Sequence, residues 1–183
     1  DWMSGELEVL KTVCQKLQSA NIPYMITGSV AANFYAVPRM TRDIDIVIEI
    51  KKGDVRRLLS LFQKGFYIDL ETVAQAIEER GMFNIIHDES VVKVDFILRK
   101  NSPYRELEFN RRRNIVIEGA EMWIVSPEDL ILSKLIWAKD SLSELQLGDV
   151  RNLLDMVKDG DHQYLEKWVQ SLGLQEIYQK VKS

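Results

Sequence analysis

Asp43 and Asp45 stand two residues apart in the run Asp43-Ile44-Asp45-Ile46-Val47-Ile48-Glu49-Ile50. The isoleucines alternate with the acids at the period of a β-strand, so both carboxylates leave the same face and repel unless something positive lies between them. A divalent cation is the natural solution. Mg²⁺ favours hard oxygen ligands, takes one or two carboxylates, and completes its octahedron with water and phosphate oxygens. A third acid, Asp95, interrupts the apolar run Val91-Val92-Lys93-Val94-Asp95-Phe96-Ile97-Leu98. A carboxylate there is costly unless it pairs or binds metal, and on a strand beside the first two it would let two cations share the site. Gly28-Ser29 lies fifteen residues before Asp43. Glycine lets a backbone come close to a phosphate, while helix-start amides and a serine hydroxyl can donate to it. Arg39 and Arg42 flank the start of the acidic strand, where arginine forks could grip triphosphate oxygens.

These side chains need a frame. Leu7, Leu10, Val13, Cys14 and Leu17 recur at helical spacing, so residues 4–20 read as an amphipathic helix that Asn21-Ile22-Pro23 ends. Residues 24–27 read as a short buried strand, and Gly28-Ser29 as the turn into a helix over 30–37. The acidic strand spans 43–50, and Val55, Leu58, Leu59 and Phe62 mark the next helix. Residues 66–68 form a short strand, 70–80 a helix that Gly81 terminates, and 82–87 and 91–98 a hairpin carrying Asp95. Residues 99–110 read as a polar stretch with no element of their own, before a second hairpin over 115–117 and 122–125. Ser126-Pro127-Glu128-Asp129 combines a capping serine, a proline at the first helical position and first-turn acids, so a helix begins there and runs to about residue 139. Further helical patterns cover 149–157, 163–171 and a last stretch after Gly173. The order predicts an α/β (α+β) fold: a core over 1–125 with a mixed sheet flanked by helices, and a helical lobe over 126–183 packed on it as one compact unit.

The chain has 183 residues, 46% hydrophobic and 28% charged, which fits a folded globule and neither a disordered nor a fibrous class. A net charge of −4 argues against coating nucleic acid by bulk charge. With one cysteine, Cys14, there is no internal disulfide, and its helical position makes it a packing residue. No run is long and apolar enough for a membrane span and no leader pattern is visible, so the expected address is the cytoplasm, with no membrane partner. Arg111-Arg112-Arg113 reads as a solvated turn ahead of an RNA contact, Glu49 as a salt-bridge partner, and Trp123, Trp137 and Trp168 as residues of the core or the lobe interface.

Gly28-Ser29, a spacer, Asp43-Ile44-Asp45 and the later Val94-Asp95-Phe96 together resemble the polymerase-beta nucleotidyltransferase superfamily. Pro127-Glu128-Asp129-Leu130-Ile131-Leu132-Ser133-Lys134-Leu135, with Gln146 to Arg151 beyond, is similar to the helical lobe of its small bacterial branch, which includes AbiEii-type and MenT-type toxins. The resemblance implies Mg²⁺ dependence, with Mn²⁺ as a substitute, and transfer of a nucleotidyl group from a nucleoside triphosphate such as ATP to a hydroxyl. It implies Asp43, Asp45 and Asp95 as metal ligands, Asp95 also drawing the acceptor proton, Gly28 and Ser29 at the phosphates, and Lys134 in nucleotide binding. Relatives of this fold serve transfer RNA ends, small-molecule drugs, protein hydroxyls and other nucleotides, so the acceptor is RNA, a small molecule or a protein, and the toxin branch implies an antitoxin partner. The superfamily also has members that bind without catalysis, so a nucleotide-binding or regulatory module is the alternative.

Overall fold

The computed structural model describes residues 4–41, 43–141 and 143–183. The described residues form α1 (Ser4–Ser19), β1 (Tyr24–Thr27), α2 (Gly28–Tyr35), β2 (Asp43–Ile48), α3 (Val55–Phe62), β3 (Phe66–Tyr67), α4 (Leu70–Glu79), β4 (Met82–His87), β5 (Lys93–Leu98) and α5 (Pro103–Asn110). The hairpin β6 (Arg113–Ile117) and β7 (Ala120–Ile124) follows, and then α6 (Pro127–Ser141), α7 (Glu144–Met156), α8 (His162–Ser171) and α9 (Gln175–Lys182). The strands make one mixed sheet in the order β3-β4-β5-β2-β1-β7-β6.

The isoleucine alternation sets the register. Ile44, Ile46 and Ile48 are fully buried, and their partners Val94, Phe96 and Leu98 on β5, which runs parallel to β2, point the same way. The side of the sheet that carries these residues receives α1 and α3. Phe62 of α3 meets Phe96 with ring centroids 5.6 Å apart, and buried Cys14 of α1 lies against Tyr24, its thiol pushed up to about 12 by burial. The opposite side of β2 and β5 carries the acids and faces α6, the first helix of the C-terminal group. No helix among the described residues is long and apolar enough to cross a membrane.

Most boundaries agree with the sequence reading to within two or three residues, and the departures have local causes. The stretch 99–110 contains α5, where Ser102 caps the helix by accepting from the Arg105 amide and Pro103 takes the first position. That signal repeats Ser126-Pro127 and was hidden by the polar composition around it. At the end of α4 the left-handed residue is Arg80 (φ 48°, ψ 45°), one position before Gly81. The arginine run is neither a solvated turn nor an open nucleic-acid contact. Arg111 donates to Asp129 at 3.0 Å and lies 3.8 Å over the Tyr164 ring, while Arg112 stacks on Phe109 and Trp123.

Candidate active site

Pairing across four strands creates the site. Thr27 on β1 is opposite Asp45 on β2, Asp45 is opposite Asp95 on β5, and Asp95 is opposite Asn84 on β4. These four residues form one polar row across the sheet, on the side turned to α6. Adjacent strands stand about 4.8 Å apart, so Asp45 and Asp95 are immediate neighbours. Asp43 lies two residues earlier on the same side, opposite Lys93. The three sequence-identified acids are therefore brought together by strand register alone.

Gly28 sits where β1 passes into α2, at φ +67°, a backbone setting that side chains rarely tolerate. A Cβ there would fall 2.2 Å from the Asp45 Oδ2. The missing side chain thus admits the turn and leaves room for the carboxylate. Ser29 follows, and its Oγ accepts from Arg39 Nη2 at 2.7 Å, which leaves the hydroxyl proton free to donate elsewhere. Arg39 is fixed from two sides: Asn33 brackets its backbone at 2.8 and 3.0 Å, and Asp149 of α7 accepts its fork at 3.0 and 2.9 Å. Asp149 Oδ2 also accepts from Lys134 Nζ at 2.8 Å, and Gln146 accepts from the same ammonium at 3.1 Å. Burial works against the Asp149 charge, but hydrogen bonds from Arg39 and Lys134 hold its carboxyl below the usual range. Lys134, 3% exposed, lines the cleft with one of its three donors still uncommitted. Arg42 lies outside the described residues.

The acids are not electrostatically at rest. Burial, together with the Asp95 and Asp43 charges, pushes Asp45 up to about 6, against an opposing pull from Lys134. Burial also raises Asp95, while Lys93 draws it back. Lys93 Nζ stands between two acids, 3.9 Å from Asp43 and 3.7 Å from Asp95, both beyond hydrogen-bond length. One oxygen of Asp95, Oδ1, is buried and has no hydrogen-bond partner. No three of the described His, Cys, Asp or Glu side chains are drawn together tightly enough to cage an ion ready-made. The donor set nonetheless suits a hard cation: an orphaned carboxylate oxygen, a neighbouring acid crowded by two other acids, and a third acid within reach of Lys93.

Asp45, Asp95, the glycine-serine turn and Lys134 share a cleft of about 740 Å³ between the sheet and α6. Asp149, Asn33, Lys93 and Asn84 were not singled out from sequence. Asp149 had a readable signal, an acid amid the apolar positions of α7, and Lys93 had another as the strand partner of Asp43. Asn33 gave none, because its role depends on where the loop carrying Arg39 returns. Trp137 departs from its expected packing role: it is 61% exposed and lines the cleft. Glu49 does pair, with Arg99.

No family model matches the chain, and no curated protein matches it. Solved structures do. An antigenic nucleotidyltransferase-like protein from Paracoccidioides brasiliensis superposes with a TM-score of 0.62 over 98% of this chain and 93% of its own, at 20% identity. ANT(2")-Ia in complex with adenylyl-2"-tobramycin gives 0.60 over 96% and 99%, at 13% identity. The lincosamide antibiotic adenylyltransferase LnuA, lincomycin-bound, gives 0.58 over 84% and 98%, at 14% identity. At such identities the likeness is one of architecture, and the chain has the nucleotidyltransferase fold.

Proposed function

We propose that this chain transfers a nucleoside monophosphate from a nucleoside triphosphate to a hydroxyl of an acceptor. The observation that carries the reading is the register placing Asp43, Asp45 and Asp95 on one side of the sheet, next to the Gly28-Ser29 turn and across the cleft from Lys134. Fold alone does not settle function, so the weight rests on that constellation.

Asp43, Asp45 and Asp95 would hold Mg²⁺, or Mn²⁺ in its place, and the ions would supply neutralisation of the charge that builds on the triphosphate and on the leaving pyrophosphate. Ser29 and the first amides of α2 donate to phosphate oxygens, and Gly28 keeps the backbone close enough for them to do so. Arg39 fixes the Ser29 hydroxyl and presents positive charge at the same end of the cleft. Lys134 offers its spare donor from the α6 side. Asp95 accepts the acceptor's hydroxyl proton as that oxygen bonds to the α-phosphorus, and the bond from phosphorus to the bridging oxygen of pyrophosphate breaks.

Calorimetry with the four common nucleoside triphosphates and Mg²⁺ tests the donor half. One of them should bind with a metal-dependent heat that Asp45→Asn abolishes, and absence of heat with all four sinks the reading. Pyrophosphate release with a competent acceptor separates the enzyme from a module that only binds nucleotide.

A further inference from the structure

The polar row has an apolar neighbour. Two residues along each strand, where side chains return to the same side, Met25, Val47, Ile97 and Met82 are partners in a second line across the same four strands. The two lines lie about 6–7 Å apart. Val47, Ile97 and Met82 line the cleft, and Met82 is 50% exposed. Ile136 and Trp137 line it from α6.

The order of residues along β1 fixes what this strip faces. Met25 belongs to the apolar line, Thr27 to the polar row, and Gly28-Ser29 to the turn beyond it. Asp45 and Asp95 therefore lie between the phosphate turn and the apolar strip. A transfer reaction needs the donor on one side of the metal-holding acids and the attacking hydroxyl on the other, so with the triphosphate at the turn the strip is left for the acceptor.

The surrounding charges narrow its chemistry. Arg99 pairs with Glu49, and Arg105 donates to both Glu108 oxygens at 2.9 and 3.1 Å and to Ser133 at 3.2 Å. Each of these arginines already has an acid of its own beside it. The two exposed charged side chains at the rim, Lys100 and Asp140, are of opposite sign. The whole cleft, donor end included, is about 740 Å³, a size of small-molecule sites.

We propose that the strip of Val47, Ile97 and Met82, facing Ile136 and Trp137, seats a small uncharged acceptor with a flat or apolar ring body whose hydroxyl reaches Asp95. This rests on the nucleotidyltransferase reading, and it names the substrate class that the reading leaves open. A nucleobase, or the end of a nucleic acid, is the competing occupant.

The probe is 2-naphthol, an apolar ring with one hydroxyl, titrated by saturation-transfer NMR and calorimetry onto the whole chain. Mg²⁺ and α,β-methylene-ATP are titrated separately. Wild type binds 2-naphthol, and Met82→Lys and Trp137→Ala each weaken it at least tenfold while holding α,β-methylene-ATP affinity within twofold. Both side chains are largely exposed, so an unchanged melting temperature confirms that the fold is intact. No 2-naphthol binding by wild type, or binding unaffected in both variants, overturns the proposal. A tenfold loss of α,β-methylene-ATP affinity in Trp137→Ala also overturns it, by assigning the strip to the base. A wild type that binds 2-naphthol but none of the four common nucleoside triphosphates supports the seat and removes the donor reading instead, so the two failures are distinguishable.

Discussion

Two buried aspartates in this molecule have opposite surroundings. Asp129, 0% exposed at the start of α6, is fully answered. Ser126 and Arg111 donate to its Oδ2 at 2.6 and 3.0 Å, and Tyr164 and Tyr104 donate to its Oδ1 at 2.6 and 3.1 Å. Asp95, 8% exposed on β5, has one orphaned oxygen, an acid as its strand neighbour and a lysine that approaches only to 3.7 Å. Folded proteins satisfy nearly all buried polar groups, so a half-satisfied one marks a place where something else belongs. Asp129 ties α5, α6 and α8 together. On the proposed function Asp95 waits on a ligand, and burial alone does not tell the two apart.

The sharpest way to break this comparison is to remove the satisfied acid. Asp129→Ala takes the carboxylate acceptor from Arg111 and Tyr164 and leaves Tyr104 only the main-chain oxygen at 3.4 Å, and should cost about 3–5 kcal/mol of stability in urea unfolding. A loss below about 1 kcal/mol would show that the network is ornamental. Next comes Gly28→Ala, which forces a side chain into a left-handed setting and against the Asp45 carboxylate. The expected loss is about 1–3 kcal/mol, with triphosphate affinity falling too because the turn must move. If Gly28→Ala is as stable as wild type, the close approach of turn and acid is wrong.

Asp95→Asn should run the other way. It removes one charge from a repulsive cluster and leaves Lys93 to Asp43, so stability should stay within about 1 kcal/mol of wild type or rise. Pyrophosphate release should disappear. A strongly destabilised Asp95→Asn would place Asp95 with Asp129, as a structural acid.

The same contrast accounts for what could be read without coordinates. Asp43, Asp45 and Asp95 were legible because strand periodicity fixes which side a residue faces, and acids on otherwise apolar strands are too costly to keep unless a cation or a partner meets them. The fold followed from the order of the periodic segments. Asp129 was read only as a first-turn acid, since its partners come from α5 and α8 and no local pattern announces them. The arginine run misled for the same reason: Arg111 is defined by an acid eighteen residues away and Arg112 by the rings of Phe109 and Trp123. The Arg39-Asp149-Lys134 network spans 110 residues of sequence, and only the packing of α2, α6 and α7 assembles it. The shared side of Asp43, Asp45 and Asp95 was readable from strand period; Lys134 came with the family resemblance and Arg39 with its place before the acidic strand, but the Asp149 that joins them was not singled out.

Glu108 is a third buried acid, and it lies between these extremes. It is 3% exposed, with Arg105 donating to both its oxygens, yet burial pushes it from the ordinary 4.5 up to about 7, with Arg105 pulling back. A carboxyl whose folded value lies above its unfolded one binds its proton more tightly when folded. Its contribution is complete below about pH 4.5 and is lost as pH rises through about 7. Stability should therefore decline between pH 5 and 8. Glu108→Gln, which keeps the shape and the neutral state, should flatten that decline and become the more stable form above pH 7. Urea midpoints at pH 5, 6, 7 and 8 for the two proteins read the difference directly. Parallel curves would mean that Glu108 stays ionised against Arg105 throughout, which would group it with Asp129 as an answered charge and leave the acids of the polar row as the unanswered ones in this part of the molecule.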